Sequence, residues 1–222
     1  HETFRQIGRV IGIILALLVV GLVAGSPPTP TIERHRPVAM AVTMESAPLL
    51  EIKGRAPKTG YSRAQFGETW YDVDGNGIDT RNDILVRDLV GETFKPRTHN
   101  RVVLTGTLHD PYTGKTIKFV RGANSRVIEI DHVVSLSNAW QTGAARWSPE
   151  KRRAFANDPL NLLAVDGPTN QRKGAGDAAT WLPPNKSFRP EFASRQLQVK
   201  IKYGLWATQA EYAAMRQAMG FR

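Results

Sequence analysis

An aspartate and a histidine stand side by side at Asp131-His132, closing the strand-like run from Val127 to Val134. Two asparagines follow it, nine residues apart, at Asn161 and Asn170. A carboxylate, an imidazole and a later amide are the parts needed to hold one divalent cation and activate one water. Oxygen ligands of this kind suit Mg²⁺ or Mn²⁺, with water filling the other positions. A histidine of ordinary pKa, about 6.5, is largely neutral near pH 7 and can take a proton from water. The chemistry implied is metal-dependent hydrolysis of a phosphodiester. An Asp-His pair alone is common on protein surfaces, so the inference rests on the ordered set.

The elements that must position these residues read as strand, insertion, strand, helix. Val127–Val134 alternates, so Asp131 and His132 point to opposite faces. Helices are expected over 135–143 and 148–156, the second with Ser148 as cap and Pro149 in its first turn. Leu160–Val165 reads as a second strand carrying Asn161, and 168–179 as a helix with Asn170 in its first turn. Upstream, 48–70 reads as a short helix and a turn, and 80–90 as a helix. A β-hairpin is expected from 102–108 and 115–121 around Asp110-Pro111-Tyr112-Thr113-Gly114, lying beside the 126–134 strand. Amphipathic helices over 188–203 and 208–219 read as packing elements, the second with the capping pair Thr208 and Glu211. Lys200, Lys202 and Arg195 read as a solvated helix face. The fold class is α+β.

The chain has 222 residues, 41% hydrophobic, enough for one domain with a real core. The net charge is +10, which favours polyanionic partners, nucleic acid first. With no cysteine, thiolate zinc sites, disulfides and cysteine nucleophiles are excluded. Arg5 and Arg9, the apolar run 10–25 and the small residues at 24–26 form an export-type segment over 1–26, a cleaved signal or a membrane anchor. Membrane contact is expected through this segment alone. Residues 27–47 read as a linker and 48–222 as the catalytic domain, outside the cytoplasm, secreted or membrane-anchored. Setting aside Arg5, Arg9 and Glu2 leaves +9 on the exported part.

The strand–strand–helix order with these residues resembles the HNH nucleases of the ββα-metal group. The resemblance implies that His132 is the general base, Asp131 a metal ligand, Asn161 the residue that holds the loop and orients His132, and Asn170 the second ligand. A narrower resemblance covers roughly 70–219. It is carried by Asp79-Thr80-Arg81-Asn82-Asp83, the Asp110–Gly114 turn, Ile130–Leu136, Asn138-Ala139-Trp140, Phe155–Leu162, Asn170-Gln171-Arg172-Lys173 and Trp181-Leu182-Pro183-Pro184. These motifs look like the exported actinobacterial HNH proteins of the family named for the C-terminal domain of GmrSD-type restriction endonucleases. Relatives often carry cysteine where this chain has Ile78 and Pro190, so that stapling is lost here. The resemblance implies a metal-dependent endonuclease releasing 5′-phosphate and 3′-hydroxyl ends, and with the basic charge of the chain the expected substrate is DNA first and RNA second.

Lys173 and Arg172 are candidates to neutralise phosphate charge. Arg81 either supports the active centre, as the resemblance hints, or forms a surface ion pair with Asp83. Tyr112 either stacks on a base or covers the hairpin. Residues 72–83 nearly match a calcium loop, but Asp83 stands where such loops have Glu, and a turn with a helix cap is the favoured reading. No sequence-reading element is apparent, so binding should be dominated by phosphate. The rival reading is a non-catalytic module that binds nucleic acid or the cell envelope, with a calcium-dependent form built on 72–83.

Overall fold

The chain is described from a computed structural model covering residues 50–221. The expected export segment and linker, and the first two residues of the expected catalytic domain, lie outside the described residues. No described helix is long and apolar enough to cross a membrane. The architecture is α+β, with small antiparallel sheets and several helices.

Side-chain caps set most helix starts. Asp79 accepts the Asn82 amide and opens α1 (Thr80–Asp88). Ser135 opens α2 (Leu136–Gln141), Ser148 opens α3 (Pro149–Ala156) and Asp166 opens α4 (Gly167–Lys173) in the same way. Each cap satisfies an amide that the helix cannot pair internally. α5 (Arg189–Tyr203) stops at Gly204, whose φ of 66° is left-handed. α6 (Gln209–Ala218) begins with the expected reciprocal pair of Thr208 and Glu211.

Among the described residues, five strands form two sheets. β1 (Leu89–Phe94), β2 (Val103–His109) and β3 (Thr116–Val120) make one antiparallel sheet in that order. β4 (Ile128–His132) and β5 (Leu162–Asp166) make the other, with Asp131 opposite Leu163 and His132 opposite Leu162. The hairpin was expected beside β4, but it pairs with β1 instead. β1 is hard to read in sequence because Gly91, at φ 63°, and register irregularities interrupt its alternation. The expected helix in 48–70 is only a 3₁₀ turn at Arg63–Phe66. α4 ends at Lys173, well before Ala179, because Gly174 turns the chain at φ 53°. Asn161 sits in a 3₁₀ turn (Pro159–Asn161) just before β5 rather than on the strand.

The β4–β5 ribbon lies between two apolar clusters. One face sends Ile128, Ile130, Leu162 and Ala164 toward Ile84, Leu85, Leu108 and Phe119 of α1 and the three-stranded sheet. The other sends Leu163 and Val165 toward Tyr112, Val133 and Phe192. With both faces anchored, the register of β4 is fixed, because a one-residue slip would turn Asp131 and Glu129 into an apolar layer. A third cluster, with Phe66, Trp140, Phe155 and Tyr203, packs α2, α3 and α5 together.

Candidate active site

Among the described residues, β4 is paired on one edge only, and its residues 128–132 run unbroken along one cleft of about 540 Å³. The cleft wall also includes Lys58, Arg63, Trp70, Arg81, Arg126 and Asn170. The structure thus brings Asp131, His132, Asn170 and Arg81 to one place.

His132 lies on the Ile130 face of β4 and is 9% exposed. Its Nε2 is 2.8 Å from the Ala156 carbonyl oxygen, at the end of α3. A carbonyl can only accept, so Nε2 carries the proton and donates it, leaving Nδ1 with the lone pair. Burial pulls the pKa of His132 down to about 4, assisted by Arg63 and Lys173 and opposed by the bond to Ala156. The ring is therefore neutral, with a defined tautomer, at any ordinary pH. Trp70 stands parallel to it, with centroids 6.4 Å apart and planes within 9°. Trp70 itself sits at φ 61°, a strained conformation for a bulky residue, and such strain clusters at functional positions.

Asn161 is fully buried and holds the segment that follows β4. Its Oδ1 accepts the Val134 amide at 2.8 Å, its Nδ2 donates to the Val134 carbonyl at 3.2 Å, and its own carbonyl accepts the Val133 amide. Asn161 does not line the cleft, and these bonds hold the backbone next to His132.

Asp131 lies on the opposite face and is 5% exposed. Lys173 donates to its Oδ1 at 2.9 Å and the Tyr112 hydroxyl donates to its Oδ2. Burial raises the Asp131 carboxyl above the usual range, against the pull of Lys173 and the Tyr112 hydroxyl. Lys173 also donates to the His132 carbonyl at 2.9 Å, tying the end of α4 to the end of β4. Tyr112 reaches Asp131 because Asp110 anchors the hairpin turn: its Oδ1 accepts the amides of Tyr112 and Asp166.

Three of the four expected substrate contacts are therefore placed differently. Tyr112 is fully buried among Trp181, Phe188 and Phe192 and offers no face to a base. Lys173 is an internal cation, already paired. Arg172 is exposed beside Thr169, to which it donates, and does not line the cleft. Arg81 does line it. Its Nη2 lies 3.5 Å from the Ile128 carbonyl, while its Nη1 is buried without a partner among the described residues. An orphaned guanidinium donor in a cleft wall fits a phosphate oxygen.

Sequence reasoning passed over Lys58, Arg63, Arg126 and Glu129. The three cations are exposed at the cleft rim, Lys58 in an irregular segment and Arg63 and Arg126 in short 3₁₀ turns, and none belongs to a motif. Glu129 had one available signal, a place two residues before Asp131 on the same strand face. Its Oε2 accepts from Asn170 Nδ2 and its Oε1 from Gln171 Nε2, each at 2.9 Å.

Among the described residues, no group of three or more His, Cys, Asp or Glu could hold a metal ion. The cleft does hold hard oxygen donors in the Glu129 carboxylate and the Asn170 amide, a kind that suits Mg²⁺ or Mn²⁺ completed by water, while both oxygens of Asp131 already take donors. In the 72–83 loop, Asp72 accepts the amides of Gly75, Asn76 and Gly77, Asp74 accepts from Asn76, and Asp79 caps α1. Burial and the neighbouring carboxylates push Asp83 up to about 6. Asn76 Nδ2, not Arg81, is its hydrogen-bond partner.

Residues 79–218 match the family model described as GmrSD restriction endonucleases, C-terminal domain. An "Uncharacterized secreted protein" of Arthroderma benhamiae is 33% identical over 204 residues, spanning 91% of this chain and 94% of the relative. No solved structure matches.

Proposed function

The chain belongs to the GmrSD restriction endonuclease C-terminal domain family, and from that premise we propose that it is a metal-dependent HNH-type endonuclease with low sequence specificity, acting on DNA first. The order β4, β5, α4 supports a ββα-metal core. The observation that carries the reading is the cleft, where a neutral histidine with a free Nδ1, oxygen donors and four cations meet along one strand edge.

In this reading His132 Nδ1 takes the proton of the attacking water. The Ala156 carbonyl fixes the ring through Nε2, so no other tautomer competes for the base role. Asn161 holds the Val133–Val134 backbone that fixes His132 at the cleft. Arg81 offers its unpaired donor to the phosphate, and Lys58, Arg63 and Arg126 hold the strand at the rim. A divalent cation held by Asn170 and a cleft carboxylate would polarise the phosphate and stabilise the leaving 3′ oxygen. Binding mostly through phosphate predicts weak base preference and strong salt dependence. Likeness to a secreted relative, together with the export-type segment at 1–26, supports action outside the cytoplasm.

The test is cleavage of plasmid, linear DNA and RNA in Mg²⁺, Mn²⁺ or EDTA, beside His132→Ala. The expected result is metal-dependent cutting that drops about 10²–10⁴-fold in the variant with its circular dichroism unchanged. A folded wild type that cuts no nucleic acid in any metal would reduce the protein to a binding module.

A further inference from the structure

On the nuclease reading above, we infer that the carboxylate holding the divalent cation together with Asn170 is Glu129. Asp131, the residue next to the histidine, is a positioning residue. Both Asp131 oxygens take strong donors, the Lys173 ammonium and the Tyr112 hydroxyl. Its negative charge is already compensated by a cation 2.9 Å away, and a second cation on the same carboxylate would be repelled by Lys173 in a site where water screens little. Displacing Lys173 would leave a fully buried ammonium without its carboxylate and release the His132 carbonyl that the same ammonium holds.

Glu129 presents the opposite case. It lies on the same face of β4 as Asp131, two residues earlier, half-buried in the cleft wall. Among the described residues, only neutral amides hydrogen-bond it, Asn170 Nδ2 and Gln171 Nε2. No lysine or arginine among the described residues forms an ion pair with it within 4.0 Å. An amide facing a carboxylate is an arrangement with two states. In this structure the NH₂ group donates. Turned over, the amide oxygen faces the carboxylate oxygen, and two such oxygens require a cation between them. Glu129 and Asn170 are kept facing one another by a close approach of backbone. A Cβ on Gly167, the first residue of α4, would stand 2.1 Å from the Arg126 carbonyl oxygen and 3.4 Å from Glu129 Cγ. Only glycine lets α4 pack this near to the start of β4.

The test measures Mn²⁺ binding by electron paramagnetic resonance of the free ion. It compares the full chain, Glu129→Gln, and Asp131→Asn combined with Lys173→Met, which strands no buried charge. Glu129→Gln should weaken Mn²⁺ binding at least about tenfold with an unchanged circular dichroism spectrum. The double variant should stay within about threefold of wild type and lose kcat on DNA with little change in KM, because it frees the His132 carbonyl. Wild-type affinity in Glu129→Gln, or loss of Mn²⁺ by the folded double variant, overturns the assignment. If wild type cuts DNA in Mn²⁺ while Glu129→Gln binds the ion normally, the assignment falls and the nuclease reading stands. If wild type neither binds Mn²⁺ nor cuts, both fall.

Discussion

Among the described residues, two lysines are entirely buried, and each meets a carboxylate: Lys173 with Asp131 at 2.9 Å, and Lys200 with Glu211 at 3.1 Å. They differ in what else the ammonium holds. Lys200 donates to Asn138 Oδ1 and the Trp206 carbonyl, and Glu211 closes the capping pair of α6. That network locks α2, α5 and α6 together, and none of its residues lines the cleft along β4. Lys173 donates to the carbonyl of His132 and so holds the end of the strand that lines the cleft. A buried ion pair is by itself no sign of function. Its meaning comes from the third group it restrains, here a packing layer in one case and the candidate base in the other.

Lys173→Met and Lys200→Met test this contrast most severely. Each leaves a buried carboxylate unpaired, and each should cost about 3–5 kcal/mol in chemical denaturation. Cleavage per folded molecule should then fall about 100-fold in Lys173→Met, an effect on the scale of losing base positioning, and stay at the wild-type level in Lys200→Met. Equal losses of specific activity would break the comparison.

Asn161→Ala should be milder. It removes both side-chain bonds to Val134, costing about 1–3 kcal/mol for the buried groups left unpaired, and the cleavage rate should fall with it. An unchanged rate would show that the loop after β4 is held by backbone alone.

The pH response sharpens the role of His132. Its folded pKa of about 4 is depressed, so the neutral ring favours the fold above the unfolded value of about 6.5. That contribution is lost as pH falls from there through about 4. Cleavage should accordingly persist through mildly acidic pH, with an acid limb near pH 4 for as long as the protein stays folded. An acid limb near 6.5 would mean that His132 titrates as an exposed imidazole.

The smallest effects belong to the rim. Arg63→Ala and Arg126→Ala should each weaken DNA binding about equally across sequences and reduce the salt slope by about 1. Fluorescence anisotropy over a salt series measures this.

Helices were legible wherever a cap and a period coincided, as at Ser148-Pro149 and at Thr208 with Glu211. β4 was legible because it alternates without interruption. β1 was missed because Gly91 breaks its pattern, and the three-stranded sheet was misplaced because strand pairing is a long-range choice that alternation does not encode. Lys200 and Arg195 read as a solvated face because charge normally means exposure. In the fold, Lys200 is enclosed and Arg195 donates to the Leu160 carbonyl and Glu191.

The linear order of Asp131, His132, Asn161 and Asn170, and the family to which they belong, are properties of the sequence alone, because residue type and spacing survive in one dimension. Which oxygen of which carboxylate is free is not such a property. Tyr112 comes from a hairpin turn 19 residues before Asp131, and Lys173 from a helix 42 residues after it. Only their convergence in three dimensions closes Asp131 and leaves Glu129 facing Asn170. A donor's availability depends on everything packed around it, and packing is decided by the whole chain.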